Sequence, residues 1–187
     1  MAMDFMAHRV LLLIKLIAIL FVSCSAEKPP KKEFNIAILE IKNQNGVLLC
    51  DNKPFSGRLF ALNNTDTIFI RDYSKGLEDG IHKLWYPNKQ IAEIRYYREG
   101  KKSGLHFGFW DNGQKKYSYS FENDLYEDIQ YEWYPNGQAF SRRTYKKGYE
   151  SGIQQTWTQE GKLRSNYEAR NGRNYGNIGK KNCQSKI

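Results

Sequence analysis

Residues 80–90 read GIHKLWYPNKQ, and the chain returns to this stretch every 24 residues without a gap. Residues 104–114 are GLHFGFWDNGQ, residues 128–138 are DIQYEWYPNGQ, and residues 152–162 are GIQQTWTQEGK. A register kept over four copies marks each copy as one structural unit stacked on its neighbours. Trp85, Phe109, Trp133 and Trp157 share one column. Asn88, Asn112 and Asn136 share another, with Glu160 in the last copy, followed by Lys89, Gly113, Gly137 and Gly161. Gly76, Gly100, Asp124, Gly148 and Gly172 recur, as do Tyr73, Tyr97, Phe121 and Tyr145, a column that ends at Ala169.

These columns predict paired strands. Asn-Gly between alternating residues is a hairpin signal, and it predicts a tight type I′ turn with φ > 0 at both central residues. Pro87 and Pro135 cannot donate to a ladder and so mark strand ends. The second glycine cluster, as in residues 99–104, predicts a longer return turn, giving two strands of about six residues per repeat. Counting by twos places Ile81, Lys83 and Trp85 on one face, continued by Leu105, Phe107 and Phe109, by Ile129, Tyr131 and Trp133, and by Ile153, Gln155 and Trp157. His82, Gln130, Glu132, Gln154 and Thr156 fall on the other, so the expectation is one apolar face and one solvated polar face. After Cys24 no stretch keeps a helical period. The predicted fold is all-β, an elongated antiparallel sheet of stacked hairpins.

The flanks set the domain boundaries. Residues 1–23 read as a signal peptide: Arg9 and Lys15 are basic, and residues 16–22 (LIAILFV) form an apolar core. That core is far shorter than the roughly 20 residues a membrane-spanning helix needs. Residues 20–24 (LFVSC) resemble a bacterial lipobox, with Phe21 where Leu is usual, which makes Cys24 the lipid-attachment residue. An ordinary secretory signal with an incidental cysteine is the competing reading. Residues 24–33 then form a charged tether stiffened by Pro29 and Pro30. Residues 34–56 form an amino-terminal β cap, with a strand through Ile36, Ile38, Glu40 and Lys42, a turn, and a short strand to Cys50. Residues 57–176 are the repeat sheet, whose first copy is one residue short and turns at residues 63–66, and residues 177–187 are a tail.

At the residues Trp133-Tyr134-Pro135-Asn136-Gly137-Gln138 the repeat resembles the bacterial variant of the MORN (membrane occupation and recognition nexus) repeat. The resemblance covers residues 57–176, about two-thirds of the chain. It implies a sheet of stacked hairpins that binds lipids or proteins. Many bacterial members carry the label of antitoxin in a toxin–antitoxin pair, whereas an export signal places this chain away from the cytoplasm where such a pair meets.

The net charge of +9 on 187 residues, about +8 once the signal is removed, would suggest nucleic acid in a cytoplasmic protein. In an exported one it suits anionic lipid, glycan or an acidic protein face, or simply a basic soluble surface. No nucleic-acid partner, cofactor or small-molecule substrate is expected.

No catalytic constellation stands out. His82 and His106 occupy equivalent columns about 10 Å apart, too far to share one metal, and read as solvated repeat positions. Ser103, Ser118 and Ser120 have no histidine–aspartate pattern around them. The candidate binding surface is Tyr86, Trp110 and Tyr134 beside the turns, together with the basic residues Arg142, Arg143, Lys146 and Lys147. Cys50 and Cys183 flank the repeats, and about ten strands at roughly 4.8 Å would hold them near 48 Å apart, beyond disulfide reach, so the expectation is unpaired or intermolecular thiols, against a sheet that coils or closes until its ends meet.

The resulting expectation is a non-enzymatic lipoprotein. It is exported, held in the cell envelope through acylated Cys24, at the outer membrane of a Gram-negative bacterium, and docks a protein or envelope component. The alternative is an antitoxin or immunity-like protein that neutralises a toxin by surface binding.

Overall fold

The computed structural model describes residues 31–179. The signal peptide, Cys24, most of the tether and most of the tail, with Cys183, lie outside the described residues. Within them the chain is all-β, and its longest feature is a 14-stranded sheet. From Gly57–Asn63 to Arg173–Asn177 successive strands pair antiparallel in chain order, as stacked hairpins require. Glu33–Asn35 adds the first edge, parallel to Gly57–Asn63.

Two turn types alternate, and they are swapped relative to the sequence expectation. The Pro-Asn-Gly turns are the longer ones. Gly137 N donates to Tyr134 O at 2.9 Å and Tyr134 N to Gln138 O at 2.9 Å, and the same pair of bonds recurs at residues 86–90, 110–114 and 158–162. Only Lys89, Gly113, Gly137 and Gly161 have positive φ in these turns, while Asn88, Asn112 and Asn136 do not. This is a type I turn, with proline favoured at its second position and glycine at its fourth, closed by a left-handed bulge residue. Each Asn instead accepts from the N–H two residues on, as Asn136 Oδ1 does from Gln138 N at 3.1 Å. The tight type I′ turns are the second glycine cluster: Glu99–Gly100, Asn123–Asp124, Lys147–Gly148 and Asn171–Gly172 all have positive φ at both positions.

The two faces are also reversed. The residues expected to be solvated are the buried ones: His106 is 2 % exposed, Gln154 1 %, and His82, Gln130, Ser141 and Ser165 are buried with them. The nominally apolar face is open, with Leu105 50 % and Ile153 42 % exposed and Tyr96 and Tyr131 exposed beside them. The reason lies in lateral packing. On the buried face rings stack from strand to strand: Tyr73, His82, Tyr97, His106, Phe121, Tyr126 and Tyr145 follow one another with centroids 4.5–5.9 Å apart. Adjacent strands lie about 4.8 Å apart, so a column of rings covers itself without a second layer.

The cap differs in detail. The expected strand through Ile36 and Ile38 is broken, because Asn35 Oδ1 accepts from Ala37 N and caps a 3-10 turn at Ile36–Ile38. Strands then run Ile41–Gln44, Val47–Cys50 and Lys53–Pro54 as a separate three-stranded sheet. Its Leu48 joins Phe55 and Leu59 in a small core against Phe34, Phe69 and Tyr73. The end of the expected tether is docked rather than free. Lys31 Nζ donates to Asp79 O and lies 3.4 Å from Asp72 Oδ2, and Arg58 N donates to Lys32 O. Asp72 is buried and takes two bonds from Arg58, at 2.7 and 3.1 Å. Those bonds and the two cations hold its carboxyl below the usual range although burial alone would raise it.

Candidate functional site

The turns carry the first candidate residues, and the structure couples each turn to the next. Tyr86 Oη donates to Phe109 O at 2.9 Å, Trp110 Nε1 to Trp133 O at 3.1 Å, and Tyr134 Oη to Trp157 O at 3.0 Å. Asn88, Asn112 and Asn136 each donate into the same next turn, to Asp111 O, Pro135 O and Gln159 O. Tyr86, Trp110 and Tyr134 are half-buried and their polar atoms are committed to this clasp; what remains outward is ring surface. Lys116 Nζ sits 4.5 Å from the centroid of Trp110 and covers part of it.

The four basic residues do not form one patch. Arg142 and Arg143 are adjacent in a strand and point to opposite faces. Arg143 lies on the buried-ring face, 3.4 Å from Glu150, whereas Arg142 stands opposite Gln155 and Tyr131 on the open face. Lys146 and Lys147 are exposed at the type I′ turn edge, where Lys147 N donates to Glu127.

The buried face is a polar network that sequence reasoning placed in solvent. Glu132 accepts from Tyr119 Oη and from Ser141 Oγ at 2.7 Å. Glu93 takes Tyr117 Oη at 3.1 Å and Arg95 at 2.6 Å, and Glu150 takes Tyr167 Oη at 2.8 Å. Burial pushes Tyr117 up to about 12, and burial with the Glu132 bond pushes Tyr119 higher. Such phenols keep their protons at neutral pH and act as donors to the carboxylates rather than as bases.

His82 and His106 are structural here as well. His106 Nε2 lies 2.7 Å from Tyr96 O and His82 Nε2 3.3 Å from Asp72 O, with the Tyr97 ring packed between the two imidazoles. Burial lowers His106 and takes His82 to about 4, so both are neutral near pH 7. Gln130 Nε2 donates to Ser120 O and Gln154 Nε2 to Thr144 O in the same position of later repeats. The signal was present in the chain: each of the four follows, by two residues, Gly80, Gly104, Asp128 or Gly152, all at positive φ.

Among the described residues two accessible surfaces stand out. One is the open face, where the exposed large side chains Tyr96, Leu105, Tyr131 and Ile153 stand among polar neighbours such as Ser120, Arg142, Gln155 and Glu168. The other is an open cavity of about 590 Å³ between the first turn and the second, with Ile68, Trp85 and Pro87 among its walls. Among the described residues no cluster of three metal-ligating side chains occurs.

These features define a class: a β-hairpin repeat sheet with stitched turns, one self-packed polar-aromatic face and one open face. Compared with known protein families the chain matches none, and among curated proteins no relative matches it.

Proposed function

We infer that this chain is a membrane-tethered, non-enzymatic repeat lipoprotein of the bacterial MORN type, whose sheet docks a protein or other envelope component. The observation that carries the reading is the open face. Leu105 and Ile153, at equivalent positions two repeats apart, stand 50 % and 42 % exposed beside Tyr96 and Tyr131. Repeated apolar exposure of this kind marks an interaction surface, and repetition of one contact along a rigid sheet raises avidity. The tether rests on the lipobox-like residues 20–24, since two or three acyl chains bury enough CH₂ groups for stable anchoring. The docked Lys31 supports a short connection between lipid and sheet.

Two experiments test the two halves. Cys24→Ala should move the chain from the membrane to the soluble fraction, and unchanged fractionation removes the lipoprotein reading. A photo-crosslinker at position 105 or 153 in native membranes should give discrete adducts, and one at position 165, which is buried, should not. Absence of adducts from both exposed positions removes the docking reading.

A further inference from the structure

The clasp that joins successive turns is incomplete at one place. In three consecutive steps an aromatic donor of one turn reaches the backbone of the next, from Tyr86, Trp110 and Tyr134 to Phe109 O, Trp133 O and Trp157 O. One step earlier the receiving carbonyl is Trp85 O. The residue that should supply the ring is Asn63: the bulge after Ala61 in its strand matches the bulge after Leu84, so Gly57–Asn63 superposes in register on residues 80–86. Asn63 has no ring to offer. Among the described residues neither Trp85 O nor Pro87 O accepts a side-chain hydrogen bond from the first turn, and the two turns are joined at the rim only by Lys89 Nζ to Asp66 Oδ1 at 2.8 Å.

The open cavity of about 590 Å³ lies where the ring would be, between Asn63 and Ile68 on one side and Trp85, Tyr86 and Pro87 on the other. Ile68 is left 38 % exposed and Leu62, beside Asn63, 41 % exposed. The volume is in the range of ligand sites and exceeds a single side chain, leaving room for flanking backbone. The apolar part of that lining, Ile68, Trp85 and Pro87, beside a carbonyl that no side chain of the first turn claims, suits a flat ring that carries a hydrogen-bond donor.

We propose that this cavity is a recognition site for a tyrosine or tryptophan side chain of a partner polypeptide, which completes the clasp that the first repeat lacks. This deepens the docking reading by giving the partner a defined anchor, and it is tested on the purified full chain without membrane or partner. The probes are N-acetyl-tyrosinamide, N-acetyl-tryptophanamide and N-acetyl-phenylalaninamide, titrated while the Trp85 indole resonance is followed by NMR. The tyrosine and tryptophan probes should shift that resonance, and the phenylalanine probe, without a donor, should bind at least about fivefold more weakly. Asn63→Tyr should install the missing ring and abolish binding, while Asn63→Ala should retain it. No shift at Trp85, equal binding of the tyrosine and phenylalanine probes, or undiminished binding by a folded Asn63→Tyr variant would each overturn the proposal. The wild-type comparison of probes stands even if Asn63→Tyr does not fold. Failure here leaves the crosslinking result at positions 105 and 153 to decide the docking reading separately.

Discussion

His106 Nε2 lies 2.7 Å from the carbonyl oxygen of Tyr96, ten residues earlier, and this one contact explains the repeat's least legible column. The strand departs from its partner at Ser103, whose N–H donates to the same Tyr96 carbonyl, and it resumes at Gly104 with φ +74. That carbonyl keeps a second lone pair on the ring face, and a side chain with an N–H two residues past the glycine donates to it. His82, Gln130 and Gln154 do the same for Asp72, Ser120 and Thr144. Each such side-chain bond is worth about 1 kcal/mol.

The histidines make stability depend on pH. His82 is held near 4 by burial, against about 6.5 in the unfolded chain. Between those values the unfolded state binds more protons, so the stability that neutral His82 contributes is complete above about pH 6.5, falls as pH drops towards 4, and changes no further below that. The loss from His82 is on the order of 3 kcal/mol, with His106 adding in the same direction. Replacing both by glutamine, the residue that later repeats use, should flatten the profile between pH 6.5 and 4 in urea unfolding. A profile as steep as wild type would show that other groups set it.

The clasp predicts a graded series. Tyr134→Phe keeps the ring and removes one bond to Trp157 O, so it should destabilise by about 1 kcal/mol. Tyr134→Ala also loses the ring packed edge-on against Phe140 at 5.2 Å, and should cost about 3 kcal/mol or more. Denaturant midpoints for the two variants check the order, and equal losses would assign the residue's contribution to the hydrogen bond alone.

Two glycines should behave differently. A Cβ at buried Gly108 would meet the Tyr117 ring at 2.1–2.7 Å, so Gly108→Ala forces that ring aside and should cost about 1–3 kcal/mol through overpacking. Gly104 has open space around it and positive φ, so Gly104→Ala should cost about 1 kcal/mol through backbone conformation alone. In proteins that remain folded, NMR should show displaced Tyr117 resonances for the first variant only.

Asp72 ties the amino-terminal edge together through Arg58, Lys31 and the N–H of Ile81. Asp72→Asn removes the charge from a buried site that faces two cations, and should cost about 2–4 kcal/mol. Hydrogen exchange should show the loss first as faster opening at Glu33–Asn35, because that parallel edge strand joins the sheet through the Arg58 strand. Uniform acceleration across all repeats would mean instead that the edge and the sheet open as one unit.

Much of this architecture could be read directly from the chain. The 24-residue register of Trp85, Phe109, Trp133 and Trp157, together with the Gly and Asn-Gly columns, specified antiparallel hairpins, their number and their order, because turn chemistry and strand alternation are local properties. Even the swapped turn types were encoded: proline before Asn-Gly favours the type I turn, and Glu99-Gly100 or Lys147-Gly148 supplies the two-residue turn. What alternation could not decide is which face is covered. His82, Gln130 and Gln154 look like solvent residues until the carbonyls of Asp72, Ser120 and Thr144, ten residues earlier, and the neighbouring rings are brought beside them. The roles of Tyr86, Trp110 and Tyr134 were hidden for the same reason, since each bonds to backbone 23 residues later. The motif in residues 80–90 therefore determined the hairpin by itself. Burial, the clasp between turns and the cavity at Asn63 were decided only by tertiary structure, because each depends on what the next repeat presents across a strand spacing.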